Sequence, residues 1–312
     1  MHVLSFYHFT EVPSPEDLRD RHLSLCRELG VRGRIYVATE GVNGTCAVPP
    51  EHRAAYEDFW AAETGFAPMI FKTMEENWAP FEKLIVKVRP YLVNFGDHSH
   101  LNPNEISGAR LSPAEWRQKI EQEDVVVLDV RNPYEWEVGH FRGAIAPTVD
   151  RFFEFEQWVD SLELPNDRPV LTYCTGGIRC EKFTGLLRER GFDNVYQLDG
   201  GILEYARQEG GALFEGELYV FDDRMTTSIG GEPNTWSRCG RCDQPTQRIQ
   251  NCANLDCNDL FMCCESCAVE HAAACSEDCE FAPRLRVVDP TSLQKTFRSK
   301  GKIKIVDGSA RR

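Results

Sequence analysis

At 312 residues the chain is long enough for two or three domains, and its 42% hydrophobic and 27% charged residues are the balance of an ordinary globular protein. No apolar run approaches the ~18 residues that cross a bilayer, and a net charge of −14 counts against a protein that coats nucleic acid, whose phosphates attract positive charge. The opening MHVLSFYHFT carries no basic region or cleavage site of a secretory signal. A cytoplasmic, membrane-free setting is therefore expected, with the thirteen cysteines reduced and available for metal or catalysis.

Residues 1–95 read as β-α-β-β-α-β, the order of a small ferredoxin-like α+β sandwich. VLSFYHF is a strand, and SPEDLRDRHLSLCRELG a helix that opens at Ser14-Pro15 and stops at Gly30. RGRIYVATEGVNGTCAV predicts two strands around a turn containing EGVNG, PEHRAAYEDFWAAE a second helix, and EKLIVKVRPYLV a closing strand. Residues 96–107, GDHSHLNPNEIS, form a polar linker.

Residues 108–212 alternate strands and helices, which predicts a parallel sheet. LSPAEWRQKIEQ is a helix opened by Ser112-Pro113, and VVVLDV has the unbroken β-branched pattern of a strand buried on both faces. A helix near FFEFEQWVDSL, the strand PVLTYC, the helix CEKFTGLLRERG, the strand NVYQLDG and the helix GILEYARQ follow. Residues 213–312 form a cysteine-rich region with a basic tail, and no repeat of fixed period runs through the chain.

The strand PVLTY delivers Cys174 to the carboxyl end of that sheet, where open α/β sheets bind ligands. Thr175, Gly176, Gly177 and Ile178 then lead into a helix carrying Arg179. A glycine-rich turn at a helix N-terminus points amide N–H groups inward and makes an anion nest. A thiol in such a nest is expected to be ionised near neutrality, with Arg179 as an added cation able to grip a phosphate or carbonyl oxygen. Cys180 falls on the helix, either as a structural residue or as a second, resolving thiol. The loop from Cys174 to Arg179 is one residue shorter than the loop of related phosphatases, which disfavours phosphatase chemistry.

The C-terminal cysteines fall in knuckles at Cys239 and Cys242, Cys252 and Cys257, Cys264 and Cys267, and Cys275 and Cys279. Short-spaced thiolate pairs build tetrahedral sites, so two structural zinc ions are expected, with Cys263 spare and His271 as a substitute ligand. Disulfides and an iron–sulfur cluster are the alternatives, and one sequence does not give the pairing of the knuckles. No haem, flavin or nicotinamide fingerprint is present.

LDVRNPYEWEVGHFRGAI, YCTGGIRCEK and LDGGI together resemble a rhodanese domain. That likeness implies a persulfide-forming Cys174, with Asp129, Arg131, Glu135 and His140 supporting the fold and pocket wall. With RGRIYVATEGVNGT before it and the cysteine-rich region after it, the whole chain resembles the bacterial tRNA uridine hydroxylases. That resemblance implies an oxidoreductase that converts wobble uridine 34 of tRNA to 5-hydroxyuridine, with molecular oxygen as co-substrate and no stable protein partner. The other function class is a sulfurtransferase or persulfide carrier with docking domains. Formal charge is about −3 over residues 1–95, about −10 over 96–216 and about −1 beyond. RNA is therefore expected on the outer segments, with Arg32, Arg34, Lys72, Lys83, Lys87, Lys302 and Lys304 as contacts.

Overall fold

The computed structural model describes residues 1–165, 167–232 and 237–288, and the backbone of Ile303–Ile305. The chain forms two compact units, Met1–Trp136 with Gly143–Gly211, and Glu137–Arg142 with Ala212–Arg312.

The first unit opens with β1 (His2–Phe9), α1 (Pro15–Glu28), β2 (Arg32–Ala38), β3 (Gly41–Val48), α2 (Arg53–Ala62), β4 (Lys72–Glu75) and β5 (Leu84–Val88). Its sheet runs β4-β1-β3-β2-β5, the ferredoxin-like order with one strand added. Strand alternation turns Leu4, Phe6, Ile35, Val37, Val42, Cys46 and Val86 into a core with Tyr56 and Trp60 of α2. The opposite face carries Ser5, Tyr7, Asn43, Thr45, Arg34, Tyr36 and Lys87, all at least partly accessible.

Two local expectations are corrected. The strand expected to close the sandwich, within EKLIVKVRPYLV, is β5, which pairs parallel with β2. The closing place beside β1 belongs to KTME, β4, which at four residues is too short to show a period. Only Glu40 of the EGVNG stretch belongs to the turn: the chain reverses at Thr39-Glu40, and Gly41 to Gly44 lie inside β3. A Cβ at Gly44 would lie 2.8 Å from the Phe6 ring and 2.9 Å from Ile35, so glycine is there for close packing.

The unit continues with β6 (Ala109–Leu111), α3 (Pro113–Gln122), β7 (Val126–Asp129), α4 (Pro133–Val138), β8 (Gly139–Phe141), α5 (Phe155–Ser161), β9 (Val170–Tyr173), α6 (Ile178–Glu189), β10 (Val195–Leu198) and α7 (Gly201–Glu209), of which β8 belongs to the second unit. The sheet β6-β10-β9-β7 is parallel throughout, and β7 and β9 are buried along their whole length, as their apolar runs require. Ser112 and Glu115 form a reciprocal cap on α3. The core around Phe155, Trp158 and Phe183 also takes in Ala38, Leu92, Val93 and Phe95. Phe95 stacks on Phe152 with ring centres 4.6 Å apart. The Lys182 ammonium, on α6, donates to Glu40 at 2.7 Å and to the Ser99 carbonyl. Ala38 of the sandwich and the segment after β5 thus enter the core of the parallel sheet, while the sandwich keeps a core of its own.

In the second unit β8 pairs with β11 (Phe214–Gly216), β12 (Leu218–Tyr219) with β13 (Thr226–Thr227), and β14 (Ile249–Asn251) with β15 (Leu260–Met262). The short helices α8 (Glu265–Glu270) and α9 (Glu277–Glu280) follow, and β16 (Arg284–Arg286) pairs with β17 (Ile303–Ile305).

Candidate active site and metal centres

Strand β9 ends on Tyr173, Cys174 follows it, and the chain turns through Thr175 and Gly176 to Gly177, which caps α6 with φ of 102°. That left-handed conformation favours glycine, and it aims the Gly177 amide at the Cys174 sulfur, 3.1 Å away. The amides of Arg179 and Cys180 also point at the sulfur, and the Cys180 thiol donates to it. Burial pushes the Cys174 thiol up, but these donors and the Arg179 charge outweigh it and hold the pKa at about 5. Cys180 moves the opposite way, because burial and the neighbouring Cys174 sulfur both disfavour a second anion. The pair thus carries one proton, on Cys180, and one charge, on Cys174.

Arg179 is placed differently from its expected grip on a substrate oxygen. Its Nη1 and Nη2 donate to the two carboxylate oxygens of buried Glu135 at 2.6 and 2.8 Å, and Thr175 Oγ1 donates to the same carboxylate at 3.2 Å. Fork-to-fork pairing of this kind fixes the guanidinium in one plane, and its contribution at the sulfur is charge. Behind the loop, Arg131 is fully buried and bidentate to Asp129, at 2.8 and 2.6 Å, and the Tyr173 hydroxyl donates to Asp129 at 2.6 Å. Asp129 and Arg131 therefore brace the strand end that carries Cys174. His140 lies on β8 of the second unit.

The sandwich supplies the other side of the site, which sequence reading missed. A Cβ at Gly177 would stand 2.8 Å from the Tyr7 hydroxyl, and one at Gly176 would stand 3.6 Å from Ser5 Oγ. Tyr7 donates to Glu181 on α6 at 2.8 Å, and Arg110 pairs with the same carboxylate at 2.7 Å. Burial, followed by the Glu181 charge, drives the Tyr7 phenol well above its ordinary range. Lys72 is corrected from a surface contact to a buried residue, 7% exposed, with its ammonium 4.4 Å over the Tyr7 ring. No motif marks Tyr7 or Glu181, since both gain their place from packing between distant segments.

The structure gathers four of the other basic candidates. Arg32, Lys83 and Lys87 are exposed and Arg34 partly so. In the β2–β5 pairing Arg34 is opposite Ile85 and Tyr36 opposite Lys87, while the Gly33 amide bonds the Lys83 carbonyl. These cations line the β2–β5 edge of the helix-free face, and Arg89 lies over Tyr36. Lys302 and the Lys304 side chain are outside the described residues.

All thirteen cysteines are thiols without a disulfide. Eight of them form two groups, Cys239, Cys242, Cys264 and Cys267, and Cys252, Cys257, Cys275 and Cys279, with the sulfurs of each group within 4.8 Å of one another. The knuckles interleave, the first with the third and the second with the fourth. Sulfur pairs stand 3.7 Å apart at Cys242–Cys264, Cys257–Cys275 and Cys275–Cys279. The edge of a tetrahedron of sulfurs about one ion with 2.3 Å bonds is about 3.8 Å, so each group fits a single ion, whereas a multi-iron cluster would hold its sulfurs farther apart. Cys263 stays outside, its thiol directed at the Cys264 carbonyl. His271 is no ligand and faces Glu280 and Arg241.

Family models match along the chain: an acylphosphatase-like domain of the UPF0176 type over residues 1–92, a rhodanese-like domain over 112–208 and a rhodanese C-terminal region over 215–280. A tRNA uridine(34) hydroxylase of Shouchella clausii is 42% identical over 287 residues, covering 90% of this chain and 89% of that protein. The hydroxylase of the same name from Chlamydia muridarum is 39% identical over 305 residues, covering 96% and 92%. Among solved structures, a rhodanese-like domain from Anabaena is 26% identical, covers 34% of this chain and 78% of its own, and gives a TM-score of 0.29, an overlap too small to bear on function. Among the described residues no helix is long and apolar enough to cross a membrane. With relatives of that name 42% and 39% identical over 90% and 96% of its length, the chain belongs to the tRNA uridine(34) hydroxylase family.

Proposed function

We propose that the protein hydroxylates C5 of wobble uridine 34 in tRNA, with molecular oxygen as oxidant and Cys174 as nucleophile. The observation that carries this reading is the ionised sulfur held by three amides and the Cys180 thiol, in a chain of this family. The thiolate forms a bond to C6 of the uracil, and the C5–C6 π electrons move onto C5 and the O4 oxygen as an enolate. C5 then attacks oxygen and, with one proton, becomes a hydroperoxide. Two thiol equivalents reduce it: one oxygen stays as the C5 hydroxyl, the other leaves as water, and the thiols become a disulfide. Loss of the C5 proton expels the Cys174 thiolate and restores the double bond.

Arg32, Arg34, Lys83 and Lys87, with Lys302 and Lys304 of the tail, supply the phosphate contacts that the acidic central segment lacks. Zinc, held by each four-cysteine group, supplies folding energy to a region with little apolar core.

The test is nucleoside mass spectrometry of tRNA incubated with purified protein under air, with a small-molecule dithiol supplying the two reducing equivalents. The expected result is one added oxygen at uridine 34, absent with Cys174→Ser. Full hydroxylation by Cys174→Ser would overturn the mechanism. A resting Cys174 heavier by one sulfur, with transfer of that sulfur and no hydroxylation, would move the chain to the sulfurtransferase class.

A further inference from the structure

Lys72 is out of place for a structural residue. Taking an ammonium out of water is costly unless a carboxylate pairs with it, yet among the described residues the Lys72 ammonium enters no ion pair and no hydrogen bond. The ammonium sits over the Tyr7 ring, its Cε lies 3.4 Å from where a Cβ would stand at Gly200, and the charges of Cys174, Asp199, Glu181 and Glu204 act on it without pairing with it. The next residue, Gly201, has φ of 67°, and a Cβ there would meet the Cys174 carbonyl at 2.5 Å and the Gly177 amide at 2.7 Å. The lysine therefore lies between the sandwich and the catalytic turn. Burial lowers its pKa to about 8, and of the nearby charges that oppose this, Cys174 is the largest.

The sulfur does not need Lys72. Three amides, the Cys180 thiol and Arg179 already meet the thiolate's charge. When the sulfur bonds to C6, however, the negative charge leaves that nest and moves to the far side of the ring, onto C5 and O4. Arg179 cannot follow it, because Glu135 holds its fork. We infer that Lys72, delivered by the N-terminal sandwich, is the cation that receives the enolate charge at O4 of the uracil, so that the catalytic centre is built from both domains. This inference rests on the hydroxylation reading and adds the group that stabilises its intermediate. It also gives the sandwich a part in the reaction besides RNA binding.

Lys72→Met keeps the length and apolar stem and removes the charge, and Lys72→Arg keeps the charge. Three measurements are made on the full chain: single-turnover hydroxylation of tRNA, tRNA affinity, and the pH profile of Cys174 alkylation by iodoacetamide. The expected result is a roughly 100-fold slower turnover for Lys72→Met, as for loss of one oxyanion donor. Affinity should change little, the Cys174 thiolate should persist at neutral pH, and Lys72→Arg should recover part of the rate. Turnover of Lys72→Met within about threefold of the parent overturns the inference, and so does a loss accounted for by weaker tRNA binding or by a protonated Cys174. If the parent protein itself does not hydroxylate tRNA, the functional reading fails. If the parent is active, Cys174→Ser is dead and Lys72→Met is normal, only the role of Lys72 fails.

Discussion

The Cys174 sulfur carries charge although it is fully buried, because hydrogen-bond donors surround it on the side of α6. With its pKa at about 5, alkylation of Cys174 should be nearly flat from pH 6 to 8 and fall away below about pH 5. The sign for stability follows. A thiol whose folded pKa is depressed contributes stability that is fully present above the unfolded value and is lost as pH falls through the folded one. Cys180→Ala removes a donor to a charged acceptor and should raise the alkylation midpoint by about one to two pH units. Glu135→Gln leaves the Arg179 charge mostly buried and unpaired and should lower stability in urea unfolding by about 3 kcal/mol. The spacing of Cys174, Gly177 and Arg179 was legible because a strand, a turn and a helix start are local events. The tie of Arg179 to Glu135 was not, since those residues are 44 apart, nor was the burial of Lys72.

Elements were legible where they were long or strongly patterned. The buried strands β7 and β9 and the capped helix α3 follow from their apolar runs and from Ser112-Pro113. Strand β4 was invisible because it has four residues and takes its place only by pairing with β1. The glycines of β3 were misread because a glycine chosen for space looks the same in one sequence as a glycine chosen for a turn. The eight clustered cysteines were legible from knuckle spacing, but their interleaved partition is a tertiary fact. The partition predicts that a strong chelator releases two zinc ions per chain, read by a colorimetric indicator, and that the paired substitution Cys239→Ser with Cys242→Ser halves that number. Proteolysis of the metal-stripped protein should cut within residues 239–279 and spare residues 1–211.

At the scale of the whole molecule, the sandwich and the parallel sheet lie in one compact unit. A chain reduced to residues 96–211 would lose Ala38, Leu92, Val93 and Phe95 from its core. It should lack a cooperative thermal transition, whereas residues 1–211 should keep one. The charge distribution makes RNA binding a matter for particular surfaces: Arg34→Glu and Lys87→Glu should each weaken tRNA binding and reduce the slope of log affinity against log salt by about one. The helix-free face of the sandwich has a further consequence. Strand register sets Lys72 beside Ser5, Ser5 beside Thr45, and Thr45 beside Arg34, and β5 with Lys87 comes next. At about 4.8 Å per strand, the lysine under the catalytic turn is held about 14 Å from the cations of β2 and about 19 Å from those of β5. The sheet thereby fixes the distance from the buried lysine to the exposed cations.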